Sequence, residues 1–103
     1  MMRWIRLAAL GMLSTYGVCA SAQTIDPTQV RGWASTCATC HGTAGIAQPG
    51  MESLAGLNKD EMLKKMMDFK TGKKPATLMH QLAKGYSDEQ LQALAGYFAA
   101  LKK

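Results

Sequence analysis

The sequence predicts a small all-α fold of four to five helices, on three observations. Apolar residues recur at helical spacing in several stretches, most of them opened by a side chain able to cap a helix. No stretch shows the period-two alternation of a strand, and there is no internal repeat. The third observation is Cys37-Ala38-Thr39-Cys40-His41, which gathers three reactive side chains within five residues and gives the helices something to assemble around. A length of 103 residues allows one domain.

The chain opens with a segment that is not part of that domain. Arg3 and Arg6 precede the apolar run Leu7-Ala8-Ala9-Leu10-Gly11-Met12-Leu13, and Ala20-Ser21-Ala22 is a small-residue cleavage pattern. Residues 1–22 are therefore expected to be a signal peptide removed after Ala22. That leaves one domain over 23–103, of 81 residues. The run is too short to cross a bilayer as a helix, so no stable membrane insertion is expected; a retained N-terminal anchor is the competing reading. Tyr16-Gly17-Val18 is a poor match to a lipidation box, so Cys19 is assigned to the leader. The formal net charge of +5 becomes +3 without Arg3 and Arg6, ten basic residues against seven acidic ones. Neither that balance nor any interleaving of basic and aromatic residues points to nucleic acid.

The first helix starts at Asp26-Pro27-Thr28-Gln29. Asp26 can cap, Pro27 suits the first helical position, and Gln29 can reach back in a capping box. Val30, Trp33, Ala34 and Cys37 then follow at helical spacing, delivering Cys37 to the end of the helix. Gly32, beside Trp33, is expected to admit another helix at close range.

Cys-x-x-Cys-His reads as a c-type haem attachment site. Two thiols at this spacing meet the two vinyl groups on one porphyrin edge, and the adjacent imidazole reaches the iron. Three other readings compete. A thioredoxin-like redox pair calls for a βαβ context that is not visible. A zinc site needs a fourth ligand, for which only His80 is available. A structural disulfide would make no use of His41. A chain of this length buries a modest core and gains from a staple, which a covalent haem supplies.

Gly42 to Gly50 is a glycine-rich turn region without the lysine and strand of a phosphate loop. It is expected to wrap the proximal side of the haem. A carbonyl near Pro49 is a candidate acceptor for the Nδ1 proton of His41. Leu54-Ala55-Gly56-Leu57 closes the loop with apolar contacts.

Asn58 caps the next helix, with Glu61 three residues on; Met62, Leu63, Met66, Met67 and Phe69 form its inner stripe, and Gly72 ends it. These methionines read most simply as core fillers. Lys59, Lys64, Lys65, Lys70, Lys73 and Lys74 make one local basic cluster. It is either a solvated face or a docking surface for an acidic partner.

A haem that moves only electrons wants a second axial partner. Met79 and His80 stand side by side as candidates, 38 and 39 residues after His41. Met79 would give a His/Met iron of raised potential and His80 a bis-histidine iron of lower potential; Met79 is preferred, with His80 turned away. Leu78, Leu82 and Gly85 suggest a short helix. The last helix opens with a Ser87–Gln90 capping box and a Tyr86–Leu91 staple, and buries Leu91, Leu94, Ala95, Phe98 and Leu101. Tyr97, beside Gly96, is expected to pack on the first helix around Gly32.

The pattern from Thr28 to Leu101 resembles a class I cytochrome c. The likeness rests on Cys37-Ala38-Thr39-Cys40-His41, Leu54-Ala55-Gly56, Met79, and Ser87-Asp88-Glu89-Gln90 leading into Leu94-Ala95-Gly96-Tyr97-Phe98. It implies a small fold around one covalently bound haem c, with His41 proximal and Met79 distal, and attachment outside the bacterial cytoplasm, in the periplasm. A narrower likeness lies in Phe69-Lys70-Thr71-Gly72, Ala76-Thr77-Leu78-Met79, Ala83-Lys84-Gly85-Tyr86-Ser87 and Gly96-Tyr97-Phe98. These resemble the cytochrome subunit of flavocytochrome c sulfide dehydrogenase, which takes electrons from a sulfide-oxidising flavoprotein subunit. Some members of that family carry two haem domains, whereas this chain has one haem motif.

The expected function is single-electron transfer by a protein that is not by itself an enzyme. The expected partners are a flavoprotein sulfide dehydrogenase subunit and a downstream electron acceptor. The alternatives are a free shuttle to a terminal oxidase or reductase and a haem-based ligand sensor.

Overall fold

The computed structural model describes Gly11, Tyr16, Gly17 and residues 24–103. Apart from those three positions, the leader expected over residues 1–22, with Cys19, lies outside the described residues. Four α-helices follow in order: α1, Pro27–His41; α2, Lys59–Thr71; α3, Met79–Lys84; and α4, Asp88–Ala99. One 3-10 turn, Thr43–Gly45, follows α1. Among the described residues none is in a strand, and no helix is long and apolar enough to cross a membrane.

Three of the helices begin where the sequence places a cap. Asp26 Oδ1 accepts from the Thr28 amide at 2.9 Å, and Gln29 Oε1 accepts from the Asp26 amide at 3.3 Å. Asn58 Oδ1 takes the amides of Asp60 and Glu61 at 3.0 and 3.1 Å. Ser87 and Gln90 exchange bonds of 3.1 and 2.8 Å in a complete capping box. Each cap satisfies amides that the helix itself leaves without partners. α2 stops at Gly72, whose φ of +80° is the left-handed conformation that glycine adopts without a Cβ clash. α3 has no side-chain cap; the irregular strap before it runs directly into Met79.

α4 is the central element. Leu91 and Leu94 are wholly buried, with Ala95 and Phe98 beside them on one face. Val30 and Ala34 of α1 and Met62 of α2 complete that core, so α4 packs against both helices while α3 packs on α2. Trp33 meets Tyr86 edge-on, with ring centroids 6.5 Å apart. The loop after α1 is tied to the far end of α4, because Phe98 O accepts from the Gly56 amide at 2.9 Å.

Gly32 does not admit another helix. It is exposed, and nothing lies within 4 Å of where its Cβ would stand. Helix geometry gives the reason: at about 100° per residue, position 32 faces about 200° away from Val30 and Ala34, which point into the core. Tyr97 meets the start of α1 instead, forming a surface groove with Ile25, Pro27, Val30 and Arg31. On α4 the Lys59 side chain of α2 passes Gly96 at a distance that would leave room for a Cβ.

Candidate functional site

The Cys-x-x-Cys-His motif occupies the last turn of α1, so its side chains emerge at the helix end. Cys37 is half-buried and Cys40 exposed, and the two are not joined in a disulfide. Burial pushes the Cys37 thiol up from its ordinary value, and its own backbone amide offsets part of that shift.

Beyond His41 the chain turns back on itself. Gly42 has φ +90°, and a Cβ there would sit 1.8 Å from the Ile46 carbonyl oxygen. Gly45 has φ +75° and is buried against Ala55 and Phe98; its carbonyl accepts from the amides of Leu54 and Ala55 at 2.8 and 3.0 Å. The Ser53 hydroxyl accepts from the Ala47 amide at 2.8 Å. This doubled-back loop brings the Glu52 carbonyl to 2.5 Å from Nδ1 of His41. A carbonyl can only accept, so Nδ1 carries the proton and Nε2 of the neutral ring keeps its lone pair. The expected acceptor near Pro49 is therefore Glu52, three residues further on. A backbone acceptor has no side-chain signature, and only the path of the loop selects it.

Cys37, Cys40 and His41 open onto a cavity of about 390 Å³ with predominantly apolar walls. Leu54 and Leu57 come from the loop, Met62, Met66 and Phe69 from α2, and Leu82 and Ala83 from α3. Met79 lines the same cavity and His80 does not. The structure thus brings together the four residues singled out by sequence, Cys37, Cys40, His41 and Met79, and leaves His80 outside their cavity. Nδ1 of His80 is buried with no hydrogen-bond partner among the described residues. The fourth ligand that a zinc site would need, His80, thus does not join Cys37, Cys40 and His41.

Sequence reasoning missed two further wall residues, Glu52 and Lys65, whose side chains form an ion pair of 3.0 Å. It also took the lysines as one cluster. Lys64 pairs with Asp68 at 3.0 Å, Lys70 with Asp88 at 2.8 Å, and Lys74 sits over the Phe69 ring. The i,i+4 spacing of Lys64 and Asp68 was readable in the sequence; the other two ion pairs span 13 and 18 residues and depend on the fold.

Residues 28–98 match the family described as Cytochrome C oxidase, cbb3-type, subunit III. The chain belongs to this family of class I c-type cytochromes. It is 33% identical to the cytochrome subunit of sulfide dehydrogenase of Chlorobaculum tepidum, covering 94% of this chain and 90% of that one. It is 34% identical to cytochrome c-553 of Helicobacter pylori, over 88% of this chain and 97% of that protein. The solved cytochrome c4 of Acidithiobacillus ferrooxidans superposes with a TM-score of 0.61 at 31% identity, over 63% of this chain. The present chain spans 38% of that longer protein.

The cofactor of such a cytochrome is haem c, covalently attached, and these cytochromes act in electron transfer. The residues here fit it. Two thiols, an imidazole with its outer nitrogen engaged, and a thioether line one apolar cavity. That donor set suits a large, flat, mostly apolar group carrying an iron atom.

Proposed function

We propose that this cytochrome carries single electrons through a haem that Cys37 and Cys40 would hold covalently and whose iron His41 Nε2 and Met79 Sδ would ligate. The observation that carries the proposal is the shared cavity, which has Met79 on its wall and His80 off it. The bound haem supplies a one-electron iron couple. Cys37 and Cys40 would hold it covalently. His41, oriented by the Glu52 carbonyl, offers a fixed Nε2 and cannot rotate away without giving up that bond. The Met79 thioether is neutral and soft, which favours the reduced state over what a second imidazole would give. Leu54, Leu57, Met66 and Phe69 keep water from the walls.

The preferred setting is the bacterial periplasm, reached through a leader over residues 1–22, with a sulfide-oxidising flavoprotein as electron donor and a further redox protein as acceptor. Similarity to a sulfide dehydrogenase cytochrome subunit along nearly the whole chain supports this reading. Similarity to a cytochrome c-553 across 97% of that protein supports the second reading, a free carrier. One experiment separates the two. A periplasmic extract is resolved by size, haem and flavin absorbance are followed across the fractions, and sulfide is added to the haem peak. Co-elution with flavin and reduction by sulfide are expected. A flavin-free peak of monomer size, inert to sulfide even after the flavoprotein is added back, would establish the free carrier instead.

A further inference from the structure

Glu52 is engaged at both ends. Its carbonyl faces His41 Nδ1 at 2.5 Å, while its carboxylate meets Lys65 Nζ at 3.0 Å. Lys65 stands on α2, and both side chains line the cavity. The segment is anchored just beyond Glu52, where the Leu54 and Ala55 amides donate to the Gly45 carbonyl, but Glu52 itself has few other contacts. Met51, Glu52 and Ser53 are exposed. Apart from the His41 contact, the hydrogen bonds of Met51, Glu52 and Ser53 within the loop, among the described residues, run from the Met51 amide to the Gln48 carbonyl at 3.2 Å and from the Ala47 amide to the Ser53 hydroxyl. These bonds fix the ends of the segment and leave the Glu52 peptide itself to be held by His41 and Lys65.

We infer that Lys65 is a positioning residue for His41. It acts through Glu52, pinning the loop to α2 so that the Glu52 carbonyl stays on Nδ1. The pair is about half-exposed at each end, 47% and 55%, so it adds little to global stability. Its effect is local: a held carbonyl fixes the orientation and tautomer of the imidazole and strengthens Nε2 as a donor. The inference rests on the reading of His41 as an axial ligand.

The test is proton NMR on the reduced, haem-loaded protein, following solvent exchange of the His41 Nδ1 proton. Lys65→Met is expected to speed that exchange by about three- to fivefold, the loosening that one exposed ion pair can hold back. Lys65→Arg is expected to stay within about twofold of the wild type, since it keeps the charge and the reach. Exchanging the charges, Glu52→Lys with Lys65→Glu in one chain, should restore slow exchange. Unchanged exchange in Lys65→Met overturns the inference. So does an equal acceleration at the Leu94 amide in the core, which would report a general loss of stability. If the wild-type His41 ring protons lack the large ring-current shift of a haem ligand, the ligand assignment fails and the inference with it, a result distinct from the other two.

Discussion

Nδ1 of His41 lies 2.5 Å from the carbonyl oxygen of Glu52, eleven residues further along the chain. Two glycines with positive φ, Gly42 and Gly45, make the loop double back tightly enough to bring the two together. The ring orientation is thus set by main-chain geometry. The turn sets where the acceptor stands, and the Glu52–Lys65 ion pair holds it there.

Replacing Met79 tests the axial assignment. Met79→Ala is expected to lower the midpoint potential by on the order of 100 mV, a fraction of the roughly 0.8 V that axial ligands command across haem proteins. It should also let the reduced protein bind carbon monoxide rapidly. His80→Ala is expected to change neither, because His80 stands off the cavity wall. Redox titration and carbon monoxide mixing check both variants; an unchanged potential in Met79→Ala would remove Met79 from the site.

The glycines separate a strained site from an open one. Gly45→Ala places a Cβ 2.9 Å from the Ala55 amide nitrogen at φ +75°, a loss of about 1–3 kcal/mol. Gly42→Ala is expected to be worse, given the 1.8 Å approach to Ile46 O. Gly32→Ala lies in an exposed helix interior with nothing near it and should stabilise by about 0.5–1 kcal/mol. Denaturant midpoints of the haem-loaded proteins would show this order.

Leu94 is wholly buried at the centre of the α1, α2 and α4 packing. Leu94→Ala should cost about 2–5 kcal/mol, a substantial part of what a domain of this size has in hand. Thermal unfolding with retained haem is the measurement.

Two lysines on α2 offer a contrast. Lys70 Nζ donates to the Tyr86 carbonyl and to Asp88 Oδ1, both at 2.8 Å, and its side chain is only 26% exposed. Lys70→Met should cost about 1–2 kcal/mol, because it releases the α3–α4 turn from α2. Lys64 faces Asp68 with its side chain 79% exposed, and Lys64→Met should fall within about 0.5 kcal/mol of the wild type. Equal effects of the two substitutions on the unfolding midpoint would contradict this assignment.

The parts of the fold legible in the sequence are those written locally. Asp26, Asn58 and Ser87 announce their helices because each cap contacts amides two or three residues away. Leu91, Leu94, Ala95 and Phe98 announce their face by spacing alone. Met79 was singled out as distal ligand from its place before the last helix and its resemblance to a known pattern, and it lines the cavity. Glu52 was not, since its role is carried by a backbone atom that every residue possesses. Lys65 and Lys70 were legible as charges but not as pairs, because their partners arrive from other elements. Gly32 was misread despite adequate information: the same periodicity that buries Val30 and Ala34 turns position 32 to solvent.

The internal pairing of the lysines bears on how fast a partner can find this protein. Three of the six lysines on and just beyond α2 face carboxylates of the same chain within 3.0 Å. Past a Debye length, about 8 Å at physiological salt, each such pair presents a small dipole in place of a charge. Any long-range pull of this helix on an approaching redox protein is left to Lys59, Lys73 and Lys74, for which no ion pair forms among the described residues. Charge guidance of a partner thus comes from the two ends of α2 rather than from its middle.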